Sequence, residues 1–292
     1  MIVAITGASG FIGKRLIGRL SAAGHSVRTI GRSKTANFSW DARDAEAPAA
    51  AFEGAGAVIH LAGEPISQRW NAEVKRRIFD SRVAGTRNLV AGITRASARP
   101  EVLVSASAIG YYGDTGETAV DESAPPANDF LASVTRGWEE EAERAAASGV
   151  RVARLRIGIV MGREGGALAQ MLPPFRLGAG GPLGSGRQWM SWIHVDDLVE
   201  LMLFAITNAG VSGAVNATSP NPVRNAEFTR ALGAALRRPA ILPVPEFLLR
   251  LRFGELGPHL VESSRVVPAA ALRAGFTFRY SEIEAALRNL LA

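Results

Sequence analysis

The chain of 292 residues contains no cysteine, which excludes disulfides, thiolate catalysis and thiolate ligation of a metal. Lysine occurs only at Lys14, Lys34 and Lys75, and tyrosine only three times. No apolar run is long enough to cross a bilayer, so we expect no membrane partner. The apolar run after Met1 has no basic segment before it and passes directly into a glycine motif. This pattern predicts no secretory leader and a cytoplasmic protein.

The formal net charge is +6, and a basic chain is able to bind nucleic acid. The basic residues are nearly all arginine, however, and lie scattered among acids from Arg15 to Arg288. The densest basic run, 75–77, falls inside a pattern typical of a helix. We therefore expect a solvated, arginine-rich surface and no nucleic-acid partner.

The segment TGASGFIG lies between a short apolar run and a helical pattern. Gly7 allows a tight turn, Gly10 lets the backbone approach a pyrophosphate, and Gly13 lets the helix pack near the strand. Free amide groups around Phe11 and Ile12, together with the helix dipole, favour an anion at this point. The segment predicts a dinucleotide-binding turn.

Strand and helix patterns alternate over the first 160 or so residues. The β-branched run Ile2–Thr6 predicts a buried strand, and Phe11–Ala23 predicts a helix. Two longer helices are predicted at Asn71–Ala96 and Phe130–Ala147. Further strands are predicted at Ser26–Ile30, Phe38–Trp40, Ala57–Leu61, Val102–Ser105, Val150–Ile157 and Ala214–Ala217. This alternation predicts an α/β fold with a Rossmann-type, doubly wound parallel sheet.

The composition changes after Gly162, where Leu177–Gln188 predicts a glycine-rich loop. Later helices are predicted from Asp196 and over 226–236, the second with Asn225 as its N-cap. We therefore predict a dinucleotide-binding domain over 1–165 and a smaller, mixed α/β substrate lobe over 166–292.

The cofactor type is indicated at the end of the second predicted strand, which reads IGRSK. An NAD site requires an acid there for the ribose diol, and this chain has none. Arg32 and Ser33 suit a 2′-phosphate instead. A charge-assisted hydrogen bond contributes about 1.5–3 kcal/mol, so we predict about a tenfold or greater preference for NADP(H) over NAD(H).

Several segments together are similar to one known family. HLAG ends a strand, SRVAGTRNLV lies on a helix, VSASAIGYYGD spans the end of the fifth strand, and WIHVDDL opens a later helix. With TGASGFIG, they resemble the extended short-chain dehydrogenases/reductases of the sugar epimerase/dehydratase group. MLPPFRLGAGGPLGSGRQWMSWIHVDDL, SPNPVRNAEF and RPAILPVP resemble its YfcH-like epimerase family proteins. The resemblance covers essentially the whole chain and implies a family-specific segment at about 240–292.

The resemblance also implies NADP(H) contacts beyond the glycine turn, at strand ends and on the first long helix. These are Leu61, Ala62, Gly63, Arg82, Ser105, Ile157 and Gly158.

The chain departs from the family at the reacting residues. The group uses a serine and a Tyr-x-x-x-Lys pair, in which the lysine holds the cofactor ribose and lowers the tyrosine pKa. The corresponding stretch here is NDFLASVTRGWEEE, and no lysine follows Lys75. Phe130 or Leu131 stands near the tyrosine position, and Val134 or Thr135 near that of the lysine.

Three residues remain as candidates for the chemistry. Ser107 matches the family's serine, and Tyr111 and Tyr112 follow the fifth strand at the edge where such sheets bind ligands. A phenol with a pKa of about 10 is a poor base at neutral pH unless a cation lies beside it. Arg82 is a candidate for that cation. The alternative is that the two tyrosines form an aromatic wall.

The substrate side also departs from the nucleotide-sugar enzymes. Met190 stands where they carry an arginine that clamps the diphosphate, and Arg187 lies three residues earlier. Met161, Met171 and Trp189 predict an apolar pocket wall. These residues favour a small, carbonyl-containing substrate that is less polar than a nucleotide sugar.

The residues leave three functions open. The first is an NADP(H)-dependent oxidoreductase, in which positioning and oxyanion stabilisation assist hydride transfer. The second is a non-catalytic NADP(H) sensor or scaffold, and the third is a nucleotide-sugar epimerase. We expect no metal. A homodimer through the two long helices is also open.

Overall fold

The computed structural model describes residues 1–292 and contains thirteen strands and nine α-helices. The strands are β1 (Ile2–Thr6), β2 (Ser26–Gly31), β3 (Phe38–Ser39), β4 (Ala55–His60), β5 (Val102–Ala108), β6 (Ala119–Val120), β7 (Arg151–Ile157), β8 (Ile159–Met161), β9 (Trp189–Met190), β10 (Trp192–His194), β11 (Gly213–Ala217), β12 (Val223–Arg224) and β13 (Arg265–Val266). The helices are α1 (Phe11–Ala22), α2 (Ala72–Arg95), α3 (Phe130–Glu143), α4 (Gly166–Arg176), α5 (Val195–Thr207), α6 (Asn225–Leu236), α7 (Glu246–Phe253), α8 (Ala269–Arg273) and α9 (Ile283–Leu291).

Seven strands form one sheet in the order β11-β7-β5-β4-β1-β2-β3, and every neighbouring pair is parallel. Successive side chains of a strand point to opposite faces of the sheet. Val3 and Ile5 of β1 therefore pack with α1 and α5, and Ala4 packs in the opposite layer with α2 and α3. The predicted Rossmann-type, doubly wound sheet is confirmed.

The parallel strands end at one edge of the sheet. Thr6, Gly31, His60, Ala108 and Ile157 are the last residues of β1, β2, β4, β5 and β7. Parallel α/β sheets bind their ligands outside this carboxyl edge. The loops that follow these five residues therefore form the wall of the site.

The predicted boundary at 165 does not separate two folding units, because the chain returns to the sheet after it. β11 pairs with β7, and α5 packs its Leu198 and Met202 into the core beside β1. The smaller lobe has its own cluster, in which Trp192, Phe228 and Leu287 are buried. α4, α6 and α9 supply most of that cluster.

Two local predictions differ from the structure. Arg224, not Asn225, occupies the N-cap of α6, and the Glu227 carboxylate accepts the Arg224 N–H at 2.9 Å. The Asn225 side chain instead accepts the N–H of Leu183 at 2.8 Å, which ties the glycine-rich loop to the helix. α3 ends at Glu143 and continues as a 3₁₀ turn to Ser148.

None of the helices combines the length and the apolarity that a membrane crossing requires.

Candidate functional site

The glycine turn has the geometry that phosphate binding requires. Gly7 has a φ of +70°, and a Cβ there would lie 2.7 Å from the carbonyl carbon of Leu61. A Cβ on Gly13 would collide with the Gly7 carbonyl oxygen and lie 2.8 Å from the Ala8 Cα. Gly10 is the N-cap of α1, and no side chain caps the helix or places an acid in its first turn. The free N–H groups and the helix dipole therefore face the cavity without a competing anion.

Phe11 and Ile12 open α1, but their side chains point away from that anion site. The Phe11 ring packs so closely against Gly162 and Gly165 that a Cβ on either glycine would overlap it. Ile12 packs against the main core cluster. These two residues therefore offer a ligand their backbone groups, and the Phe11 ring joins the turn to the smaller lobe.

A cavity of about 930 Å³ runs from the glycine turn along the carboxyl edge of the sheet. Arg32 and Ser33, which follow the end of β2, line it. The Arg32 side chain is 72% exposed and lies 4.0 Å from the Asp41 carboxylate, so the guanidinium is free to turn towards a ligand. Sequence reasoning missed Glu64, which follows Gly63, and three further charged lining residues. A signal for these three existed in the polar run after β3 and in the first turn of α1. They are Lys14, Asp41 and Arg43.

The loop after β4 forms the other wall of this cavity, with Leu61, Ala62 and Gly63 among its lining residues. The Thr6 hydroxyl oxygen accepts the N–H of Leu61 at 3.2 Å and that of Ala62 at 3.3 Å, which fixes the loop against β1.

His60 precedes this loop and is fully buried. Its ring lies between the hydroxyls of Thr6, at 2.6 Å, and Thr86, at 3.1 Å. Burial, helped by the positive charge of Arg82, lowers the pKa of His60 to about 3. His60 is therefore a neutral, hydrogen-bonded part of the scaffold at physiological pH.

The predicted catalytic serine lies in a buried ionic network. The Ser107 hydroxyl donates to Glu139 Oε1 at 2.7 Å, and Glu139 also binds Arg156 through both oxygens, at 2.8 and 2.9 Å. The exposed fraction is 3% for each of these three residues. The Ser105 hydroxyl is also buried and donates to the carbonyl of Ala106 at 3.2 Å. Neither serine hydroxyl is free to meet a ligand in this arrangement.

Tyr112 belongs to the same network. Its hydroxyl donates to Asn216 Oδ1 at 2.7 Å and accepts from Arg156 Nη1 at 2.8 Å. Burial raises the pKa of Tyr112 to about 12, although Arg156 opposes that shift. A neutral phenol with both hydrogen bonds satisfied is poorly suited to exchange protons with a substrate.

Tyr111 differs from its neighbour. Its ring meets that of Tyr112 edge to face, with centroids 5.3 Å apart, and the Arg156 guanidinium carbon lies 3.5 Å from its centroid. Tyr111 is only partly buried, and its hydroxyl makes no hydrogen bond to another residue of the chain. Of the three predicted catalytic hydroxyls, this one alone is unoccupied.

Near the positions of the missing Tyr-x-x-x-Lys pair, α3 carries residues that pack or form hydrogen bonds within the protein. A Cβ on Gly110 would lie 3.1 Å from the Leu131 Cβ, so the turn before Tyr111 rests on α3 at this residue. The Thr135 hydroxyl is buried and donates to the carbonyls of Leu131 and Ala132, at 3.0 and 3.1 Å.

Arg82, on α2, lies next to Gly63 of the cavity wall. Its Nη1 donates to the carbonyl oxygens of Glu64, at 3.0 Å, and Ile78, at 3.4 Å. The guanidinium carbon lies 5.1 Å from the Trp138 ring centroid and would lie 3.3 Å from a Cβ on Gly63. Burial lowers the pKa of Arg82 to about 10, so the side chain remains charged at neutral pH.

The predicted substrate residues do not form one pocket. Met161 is fully buried in the core of the smaller lobe, and Met171 packs against the same cluster. Met161 is therefore a core residue and not a pocket wall. Met190 is also buried and accepts a hydrogen bond from Asn225 Nδ2 at 3.1 Å.

Trp189 and Arg187 lie elsewhere on the smaller lobe. The guanidinium carbons of Arg224 and Arg265 lie 4.1 and 4.5 Å from the centroid of the Trp189 ring. Arg187 lines a second cavity of about 510 Å³, together with Arg224 and Arg230. This second cavity shares no lining residue with the first.

Ile157 is the last residue of β7, and Gly158 follows it. Ile157 packs against the main core cluster. A Cβ on Gly158 would lie 2.6 Å from the carbonyl oxygen of Ser191, so glycine is required where β7 passes β10. Neighbouring protein atoms therefore occupy the space that a side chain at residue 158 would need.

A family model described as the NAD dependent epimerase/dehydratase family matches residues 3–217. The chain belongs to this family. A second model, for a domain of unknown function called DUF1731, matches residues 244–290 of this family member. The resemblance to the epimerase/dehydratase group is confirmed.

Two relatives cover the whole chain. The chain is 48% identical over 303 residues to the epimerase family protein SDR39U1 homolog, chloroplastic, of Arabidopsis thaliana, and spans 87% of that protein. It is 38% identical over 299 residues to the epimerase family protein YfhF of Bacillus subtilis, and spans 98% of it.

Solved structures agree with the fold. The human epimerase family protein SDR39U1 (isoform 2), crystallised with NADPH, superposes with a TM-score of 0.90 at 34% identity. The match covers 100% of this chain and 99% of the human chain. A nucleoside-diphosphate sugar epimerase from Corynebacterium glutamicum matches at 34% identity with a TM-score of 0.82, over 100% of this chain and 58% of that one.

Proposed function

We propose that this family member is an NADP(H)-dependent oxidoreductase acting on a small carbonyl compound. The observation that carries the proposal is the large cavity that joins an uncapped, acid-free α1 N-terminus to Arg32 and Ser33. At Gly7 and Gly13 a side chain would collide with neighbouring backbone, so the glycines allow the tight turn that fits a dinucleotide. The NADPH in the human relative's crystal structure supports the choice of cofactor.

Each end of the cavity has a separate task in this proposal. The amide groups at the start of α1 hold the pyrophosphate, while Leu61, Ala62 and Gly63 cover the nucleotide from the other wall. Arg32 and Ser33 bind the 2′-phosphate and so select NADP(H). Ile157, Gly158 and Arg82 would contact the nicotinamide, as the family resemblance implies. Bound there, the nicotinamide supplies or accepts a hydride.

Tyr111 is the proposed proton donor to the substrate oxygen. Its support is a free hydroxyl next to a network in which the hydroxyls of Ser107 and Tyr112 are already engaged. The Arg156 guanidinium against the ring stabilises the negative charge that develops on the phenol as the proton leaves. Ser107, Tyr112 and Glu139 then act by holding Arg156 in place.

A non-catalytic NADP(H) sensor is the second candidate, because α3 carries neither the tyrosine nor the lysine of the family. Leu131 and Thr135, near those two positions, make contacts within the chain instead. The nucleotide-sugar epimerase is the third. The name of the Corynebacterium protein supports it, but Met190 lies in the core where the clamp would need an arginine. The cytoplasmic location and the homodimer remain predictions.

A screen of carbonyl compounds with purified protein and NADPH tests the proposal through the loss of nicotinamide absorbance. Turnover of at least one aldehyde or ketone is expected. Tight NADPH binding without any turnover would favour the sensor, and conversion of a UDP-sugar would favour the epimerase. Absence of saturable NADPH binding would refute all three.

A further inference from the structure

The loop after β3 brings a second arginine to the end of β2. β3 pairs in parallel with β2, and the Trp40 N–H donates to the carbonyl oxygen of Gly31 at 3.1 Å. Trp40 is buried and anchors the loop that follows, because its indole N–H donates to the Ala45 carbonyl oxygen at 2.7 Å. Arg43 lies in this anchored loop and lines the same cavity as Arg32.

One carboxylate lies between these two arginines. Asp41 Oδ2 lies 3.4 Å from Arg43 Nη2 and 4.0 Å from Arg32 Nη1. Asp41 Oδ1 also accepts the backbone N–H of Arg43 at 3.2 Å, which fixes the start of the loop. Because both guanidinium groups approach the same oxygen atom, they lie close enough together to meet a single phosphate group.

The charge of this cluster favours an anion. Ionised Asp41 cancels one of the two cations, so Arg32 without Arg43 would face a ligand as part of a neutral pair. Arg43 leaves the cluster with one net positive charge. Across the whole cavity wall, Lys14 adds a third base, and Glu64 is the second acid. A phosphate monoester carries about −1.5 to −2 charges at neutral pH, so the cluster attracts it.

A structural role alone does not account for Arg43. Its side chain is 39% exposed, and its guanidinium donates only to Asp41, two residues away in the chain. An exposed ion pair of this kind contributes little to stability, and Trp40 already anchors the loop. Nη1 of Arg43 makes no hydrogen bond within the chain, so it is free to bind a ligand in the cavity.

We propose that Arg43 is a second specificity residue for NADP(H), which binds the 2′-phosphate together with Arg32. The inference rests on the proposed function of the same site. The pyrophosphate belongs with α1, whereas Arg43 shares an oxygen of Asp41 with Arg32, so the 2′-phosphate is the anion that it meets. Guanidinium groups suit this task because their N–H donors match the geometry of phosphate oxygens.

The test compares adenosine 2′,5′-bisphosphate with adenosine 5′-monophosphate, which differ only in the 2′-phosphate. Arg43→Ala is the variant. Arg95→Ala is the control, because Arg95 also pairs with one carboxylate, that of Glu46, and does not line the cavity. Calorimetric titration of Arg43→Ala should show about threefold or more weaker binding of the bisphosphate and nearly unchanged binding of the monophosphate. Arg95→Ala loses the same charge and should match the wild type with both.

The whole cofactors give a second readout. The preference for NADPH over NADH should fall about threefold or more in Arg43→Ala. Its NADH affinity should stay close to that of the wild type, which also shows that the variant is folded. Arg43→Lys keeps the charge but not the planar, forked donors, and should recover part of the preference.

Three results would overturn the inference while leaving the proposed function intact, provided that the wild type selects NADPH. They are an undiminished preference in Arg43→Ala, an equal loss of NADPH and NADH affinity in that variant, and an equal loss of preference in Arg95→Ala. The second would assign Arg43 to the rest of the nucleotide, and the third would assign the effect to overall charge. A wild type that binds NADPH and NADH equally would overturn both the inference and the cofactor selection in the proposed function.

Discussion

The two ends of the site are built in different ways. The phosphate end consists of one continuous turn, from Gly7 to Gly13, in which backbone contacts leave no room for a side chain at either of these two glycines. The reaction end joins side chains from β5, α3 and β7, namely Ser107, Glu139 and Arg156. A local turn keeps its sequence pattern because its geometry depends on glycine. A network of distant side chains is free to change, and here Tyr-x-x-x-Lys is absent while a buried ion pair is present.

Removing the Glu139 charge is expected to have the largest effect. Glu139→Gln leaves Arg156 buried without a counter-charge, and breaking such a pair costs about 3–5 kcal/mol. Denaturant unfolding would measure the loss. Glu143→Gln is the control, since its pair with Arg154 is half-exposed and should cost about 1 kcal/mol or less. Equal losses in both variants would mean that the network does not hold the reaction end together.

Substitution of each tyrosine by phenylalanine distinguishes a proton donor from a residue that only stabilises the site. Once a substrate is found, Tyr111→Phe should lower kcat by about 10²-fold or more, the contribution of a positioned acid. Tyr112→Phe removes a buried hydrogen bond and should cost about 1 kcal/mol of stability instead. Steady-state kinetics and unfolding of both variants measure the two effects. Unchanged kcat in Tyr111→Phe would exclude it as the donor.

The glycine turn is tested by one added methyl group. Gly13→Ala places a Cβ against the Gly7 carbonyl, and such overpacking should cost about 1–3 kcal/mol of stability and also weaken NADPH binding. Gly18→Ala is the matched control on the same helix, because nothing lies within 4 Å of its Cβ. For Gly18→Ala we expect the free energy of unfolding to rise by about 0.5–1 kcal/mol. Normal NADPH binding by Gly13→Ala would contradict the tight turn.

The smallest expected effect lies at His259, whose ring packs against that of Trp70. Hydrogen bonding to Glu262 raises the pKa of His259 above its usual 6.5, Asp129 adds to the shift, and Lys75 opposes it. The folded state therefore binds the proton more tightly, and this stabilisation is complete below pH 6.5 and is lost as pH rises through the raised pKa. As the pH rises through this interval, the melting temperature of Glu262→Gln should fall less than that of the wild type. An unchanged decline in melting temperature would mean that titratable groups other than His259 cause it.

The sequence predicts the sheet and the phosphate end well, because both depend on local patterns. Alternating strand and helix signals place β1, α1 and β4 within a few residues. The strand β11 was predicted, but its return to the sheet was not, because pairing with β7 is set by the whole fold.

The reaction end was less predictable. Ser107 fits the family pattern, yet its hydroxyl meets Glu139, thirty-two residues away in the chain. Nothing local marks Glu139 as buried, because it lies in the acidic run WEEE, where its neighbour Glu140 is exposed. Similarly, Met161 looks like a pocket residue in sequence, and only the packing of the smaller lobe shows it to be core.

Titration of NADPH and NADH into the wild type, Arg32→Ala and Lys34→Ala tests the central claim most directly. Arg32 lines the cavity, whereas the exposed Lys34 does not. The wild type and Lys34→Ala should bind NADPH about tenfold or more tightly than NADH, the equivalent of about 1.4 kcal/mol or more. Arg32→Ala should lose most of that preference and keep its NADH affinity. Equal binding of both nucleotides by the wild type, or an undiminished preference in Arg32→Ala, would contradict the account.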